Sequence, residues 1–239
     1  MSRIFYPAKE RGHVQFDWLD TYHSFSFGQY YDPTKIHFGA LRVLNDDKID
    51  AGMGFGTHPH DNMEIITIPL YGDLHHRDST GRDCIIKEHD VQIMSAGSGI
   101  QHSEVNPNMD KRVELFQIWI FPKLRNITPR YDQKSFLPED RIDQLLTVVS
   151  PNEPNTLFIN QDAWLSLGHF KKPFATNYAM HQEGQGLFAI CIEGNCTVGG
   201  QVLGRRDAVG IAGEATIKIE AAAGSDLLLI EIPHFTQGA

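Results

Sequence analysis

At 239 residues the chain can bury roughly 70–75% of its unfolded surface, so it needs no disulfide staple to hold a core. Apolar residues make up 41% and charged residues 21%, a balance that excludes a disordered chain. A net charge of −9 without any basic run excludes the phosphate neutralisation on which direct nucleic-acid binding depends.

The chain opens on "MSRIFYPAKERGH", which lacks the apolar stretch of a signal peptide. No later run approaches the ~20 apolar residues of a membrane-spanning helix. Cys84, Cys191 and Cys196 form no CxxC pair, so they are expected to be buried reduced thiols in a cytoplasmic protein. "HSFSFGQYYDP" follows, and its Phe25, Phe27, Tyr30 and Tyr31 suit either the wall of a pocket or packing between strands. "HFGALRVLN" and "MEIITIPLYG" then read as strands, rich in β-branched residues and bounded by turn formers.

Between those two lies "GTHPHDNMEIIT". On a strand alternate side chains share a face, which would place His58, His60, Asn62 and Glu64 together. Pro59 has no N–H to give a ladder and marks an edge or a strand start. Glu64 is expected to support the site or join a core network, and Asn62 to serve a turn. "GDLHHRDSTG" reads as a hairpin, in which one of His75 and His76 is a candidate to face the barrel interior, although such histidines are more often solvated or locally bonded. After the strand-like "DCIIKEHDVQIMSAG", "GSGIQHSEVNP" offers His102 and Glu104 at the same i, i+2 spacing. Three imidazole nitrogens and a carboxylate oxygen make a full protein set for one divalent transition metal, with positions left for water or substrate. Gly54, Gly56, Gly97 and Gly99 suit tight backbone beside such a site.

"RVELFQIWIFP" closes the first half, and Pro122, Pro129, Pro138, Pro151 and Pro154 mark a seam. "PEDRIDQLLTVV", 138–149, predicts one short helix, because Pro and two acids suit a first turn. Beyond it "GLFAICIEGNCTVGG", "ATIKIEA" and "SDLLLIEIP" repeat the earlier strand and turn order, with Gly72 matching Gly194 and Asp90 matching Asp207. The expected fold class is therefore all-β, with one barrel motif used twice.

Paired HxH and HxE motifs, the duplicated strand pattern and "ERGH", "ALRVLNDD", "GFGTHPHDNMEIIT", "GDLHHRDSTG", "QIMSAGSGIQHSEVNP" and "ITPRYDQ" resemble the pirin family of the cupin superfamily. The resemblance is to bacterial pirin-like proteins with quercetin 2,3-dioxygenase activity. It implies a bicupin: two jelly-roll (double-stranded β-helix) barrels packed face to face, residues 1–135 binding metal and 136–239 a degenerate, metal-free copy. The family's metal ligands fall on His58, His60, His102 and Glu104. In the second half the matching positions hold Gln182 and Ile219, with only His181 nearby.

The implied reaction is cleavage of the heterocyclic ring of a flavonol such as quercetin by O2, giving a depside and carbon monoxide, with Glu104 as the catalytic base. The implied cofactor is one divalent transition metal, iron favoured, with Cu, Ni, Co, Mn and Zn as alternatives. The implied partners are a small aromatic substrate and O2, with no nucleic acid, no membrane and a monomeric state. The competing expectation is a non-enzymatic, metal-containing pirin that senses redox state or docks onto a regulatory protein.

Overall fold

The computed structural model of the chain describes residues 2–234. Apart from two 3-10 turns, its regular elements are all strands, and no helix among the described residues is long and apolar enough to cross a membrane. Each half builds a seven-stranded sheet and a four-stranded sheet.

In the first half the large sheet runs Arg130–Ser135, Asp90–Ser95, Glu64–Tyr71, Val113–Ile120, Leu41–Ile49, Leu19–His23, Gly12–Gln15. Its small sheet runs Gly54–His60, Ile100–Val105, Leu74–Asp78, Asp83–Ile86. In the second half the large sheet has Gln185–Glu193, Ser225–Pro233 and Trp164–Phe170 at its centre. The opening strand Ser2–Tyr6 crosses over and pairs with Ala208–Ala212 of that second sheet, so the chain's start serves the other half's barrel.

The large sheets are buried on both faces, which is why their strands read as nearly continuous apolar runs. Ile66, Phe116 and Ile118 of one meet Phe188, Leu228 and Ile230 of the other in a single core, and this packing sets the two jelly rolls face to face. Residues one position along point back into their own barrel, among them Ile65 and Leu115 in the first and Leu187 and Leu229 in the second. The result is the bicupin that the family resemblance implies.

Two sequence expectations fail. Residues 138–149 form no α-helix: a 3-10 turn over Pro138–Arg141, closed by Asp140 Oδ2 on the Leu137 N–H, gives way to the strand Leu145–Ser150. Asp143 at φ 54° stops the turn, and Val148 and Val149 are both fully buried as a strand beside Trp164–Phe170. The shared face of residues 58 to 64 also breaks. Asn62 takes φ 46°, so His58 and His60 lie in the small sheet while Glu64 begins a strand of the large one.

Glu64 is 1% exposed and binds the halves together, its Oε2 accepting Ser95 Oγ at 2.8 Å and the Asn160 N–H at 3.1 Å. Burial raises its pKa to about 7, against the pull of those two hydrogen bonds and of Arg130. With the folded pKa above the unfolded value, its contribution to stability is complete below about pH 4.5 and is lost as pH rises through 7. Glu64→Gln keeps the acceptor and removes the titration. Urea unfolding should therefore find the variant gaining on wild type between pH 5 and pH 8, by on the order of 1–3 kcal/mol. An equal difference at both pH values would contradict this.

Candidate metal centre

Gly54–His60 is the edge strand of the small sheet, where Pro59 leaves no ladder bond unmade. It pairs antiparallel with Ile100–Val105, setting His58 directly opposite His102. The register shifts between His102 and Glu104, an irregularity that re-aims neighbouring side chains. Gly54 is required there, since a Cβ would lie 2.2 Å from the carbonyl oxygen of Glu104. Gly97 at φ 51° turns the chain before the second motif.

The structure brings the three motif histidines together. Ring centroids are 4.4 Å apart for His58 and His102, 4.8 Å for His58 and His60, and 4.9 Å for His60 and His102. One nitrogen from each lies within 4.8 Å of the others. His58 Nδ1 donates to the Gly56 carbonyl at 2.7 Å, which leaves its Nε2 lone pair free for a ligand. Neither nitrogen of buried His102 has a partner. Burial, with His102 and His58 nearby, lowers the His60 pKa to about 4; burial, with His58 and His76, lowers that of His102 to about 3. Both imidazoles are neutral donors at physiological pH. Their contribution to folding is complete above about pH 6.5 and is lost as pH falls through those values.

Glu104, 3% exposed, has a carboxylate oxygen within 4.8 Å of a nitrogen of His102 and of His76, in a group that does not include His58 and His60. Gln117 Nε2 donates to its Oε2 at 2.9 Å, and Thr67 Oγ1 lies 3.3 Å from its Oε1 and 3.0 Å from Gln117 Oε1. These partners belong to a polar row across adjacent strands of the large sheet, in register His23, Asn45, Gln117, Thr67, Gln92. An orphaned buried histidine, a second with its lone pair freed and a hydrogen-bonded carboxylate fit a divalent metal, for which His58, His60, His102 and Glu104 could supply ligands.

A cavity of about 310 Å³ opens beside His58, His60 and Glu104. Phe27 and Trp119, edge to face at 5.3 Å, stand among its walls. Of the other aromatic candidates, Phe25 packs with Tyr6 and Phe188 between the barrels, Tyr30 stacks over His23, and Tyr31 is exposed. Asp47, which carried no signal in the sequence, also lines the cavity, bonded by Thr21 Oγ1; burial raises its pKa to about 7. Cys191 and Cys196 are buried, but Cys84 is only half-buried and touches the Tyr131 hydroxyl.

His76 is the inward-facing member of the hairpin pair. His75 pairs with Asp83 at the surface, whereas His76 is fully buried, and one of its nitrogens lies within 4.8 Å of donor atoms of His102 and Glu104. The clue was period 2 along Leu74–Asp78, which turns Leu74, His76 and Asp78 inward. In the second barrel His181 stacks on Trp164 and its Nδ1 is bonded to buried Glu231 at 2.7 Å.

The fold and this histidine-rich centre define a bicupin with a candidate metal site in its first barrel. Residues 6–120 match the family profile described as Pirin, and 147–232 that of the quercetinase C-terminal cupin domain. The chain is 42% identical over 227 residues to quercetin 2,3-dioxygenase of Escherichia coli strain K12, covering 95% of this chain and 96% of that one. It is 38% identical to a pirin-like protein of Caulobacter vibrioides, covering 94% and 97%. The crystal structure of the bacterial pirin YhhW from Escherichia coli in complex with nickel(II) superposes with a TM-score of 0.92 at 39% identity, covering 98% of this chain and 100% of that one. The chain belongs to the pirin family.

Proposed function

We propose that this pirin is a metal-dependent dioxygenase that opens the heterocyclic ring of a flavonol such as quercetin. Its metal ligands would be His58, His60, His102 and Glu104. The observation that carries the reading is the cluster of His58, His60 and His102, with His58, His60 and Glu104 among the walls of an aromatic-lined cavity of about 310 Å³. The nickel(II) complex of its relative and the name of the Escherichia coli dioxygenase support it. Iron is the favoured ion, since imidazole and carboxylate donors suit it and leave open positions.

The bound ion would supply Lewis acidity and a fixed point for an anionic oxygen. Glu104 takes the proton of the flavonol hydroxyl, and Gln117 and Thr67 hold the carboxylate in place for that transfer. Phe27 and Trp119 offer faces at right angles, so a planar ring can lie on one and abut the other. Val14, Phe16 and Leu19 complete an apolar wall that keeps water from the ring. Both atoms of O2 enter the depside, and one ring carbon leaves as carbon monoxide.

The test is aerobic incubation with quercetin after loading iron, copper, nickel, cobalt, manganese or zinc in turn. Loss of the flavonol absorbance with release of carbon monoxide is expected for at least one ion. Full metal occupancy without turnover for any of them would move the chain to the non-enzymatic, regulator-binding class.

A further inference from the structure

His76 is a buried titratable side chain at the centre that the proposed reaction leaves unused. Leu74–Asp78 lies beside Ile100–Val105 with Glu104 opposite His76 and His102 opposite Asp78. His76 Nε2 sits 3.1 Å from Asp78 Oδ2, and both side chains are wholly buried. The other carboxylate oxygen of Asp78 already accepts three hydrogens, from the Thr80 N–H at 2.8 Å, the Thr80 hydroxyl at 2.6 Å and the Arg82 N–H at 3.2 Å. A carboxylate so placed can only accept from His76, so the proton of the neutral imidazole is on Nε2. His76 Nδ1 is then a bare lone pair, and it has no partner.

His102 presents the complementary need. Once one of its nitrogens gives a lone pair to a metal, the other must carry hydrogen, and it too is buried without a partner. Ligating histidines almost always donate that second N–H to an acceptor, which sets ring orientation and basicity. The two rings are tilted by 52° with centroids 5.4 Å apart. That spacing is close to the roughly 5 Å expected for imidazoles joined by an N–H···N bond of about 3 Å.

We propose that His76, fixed by Asp78, is a positioning residue that accepts the ring N–H of His102 and so orients that ligand. This rests on His102 being a ligand. The chain Asp78, His76, His102 extends the familiar carboxylate–histidine support by one imidazole. The Tyr131 ring at 4.6 Å from His76 and Thr80 at Asp78 keep both members from turning away.

Nickel(II) titration calorimetry, X-ray absorption and thermal unfolding of the metal-free protein test it on wild type, Asp78→Asn, His76→Gln, His76→Phe and His58→Ala. Asp78→Asn presents an N–H to His76, reverses its tautomer and faces His102 with a second donor. It should weaken nickel binding about 10–100-fold, as should His76→Phe. His76→Gln returns an acceptor oxygen and should recover most of the loss. The number of imidazoles in the absorption spectrum should stay at the wild-type value in Asp78→Asn, His76→Gln and His76→Phe and fall in His58→Ala. Unchanged affinity in His76→Phe overturns the inference, as does an imidazole lost from the metal in that variant, which would make His76 itself a ligand. Nickel binding that survives His58→Ala undiminished would overturn the ligand set, and this inference with it.

Discussion

His102→Ala is expected to remove metal binding and turnover while leaving the metal-free protein nearly as stable as wild type. The second half is the unusual part. An ordinary side chain only 2% exposed would cost several kcal/mol to truncate. His102, however, keeps a buried nitrogen for the metal, and in the metal-free chain that nitrogen is an unmet desolvation penalty of about 1–3 kcal/mol. Its protonation is also suppressed by burial and by His58 and His76. Truncation removes this penalty, and the space it leaves lies beside His58 and His60, among groups that can hydrogen-bond to water. The net change should be within about 1 kcal/mol.

Metal affinity should fall by more than the 10–100-fold typical of a lost supporting residue, because a direct donor is gone. In wild type, nickel or iron in excess should raise the unfolding midpoint through binding to the native state alone, and in the variant this rise should vanish. Thermal unfolding with and without metal checks both halves. A metal-free variant that melts far below wild type would make His102 a structural residue, and retained metal stabilisation would remove it from the ligand set.

This division of labour explains what the sequence could and could not disclose. HxH and HxE were legible because each lies within one strand, where period 2 puts both side chains on one face. Their meeting depends on a non-local pairing, His58 opposite His102, which the family resemblance implied and no local pattern showed. Alternation misled at Asn62, since a left-handed residue resets the face and sends Glu64 to another sheet. At 145–149 a run of Leu, Leu, Thr, Val and Val follows an acidic proline turn. The helix-start signal there was real but fed only one 3-10 turn, and β-branched burial decided the rest. That His76 and not His75 turns inward was not legible, because a histidine after a hairpin turn is usually solvated. Its burial comes from the sheet-mate Ile100–Val105, which no local window includes. The crossing of Ser2–Tyr6 into the second barrel has no local signature at all.

The same non-local logic produces the second large effect. Asp46→Ala should destabilise the fold by about 3–5 kcal/mol, the usual result of removing one partner from a buried ion pair. Asp46 Oδ2 accepts Arg11 at 3.1 Å and Arg206 Nε at 2.9 Å, and all three side chains are no more than 7% exposed. Arg206 comes from the second barrel and stands 5.1 Å from the ring centre of Phe116 in the first. Burial lowers the Arg11 pKa, with Asp46 opposing and Arg206 adding to the fall. Without the aspartate two guanidinium groups would face each other between the barrels, with only Glu193, 3.7 Å from Arg206, in partial compensation. For a chain of this size the melting midpoint should drop by roughly 10 °C. The loss should persist in 1 M salt, because buried charges are screened far less than exposed ones. A loss under about 1 kcal/mol, or one erased by salt, would mean that water reaches the cluster. The triple replacement Arg11→Met, Asp46→Leu, Arg206→Met separates breaking the network from doing without it. Removing all three charges together should recover much of the loss, since desolvation offsets most of what the network contributes. Recovery would assign Asp46 chiefly to neutralising two arginines at the joint; no recovery would mean that its hydrogen bonds themselves hold the barrels together.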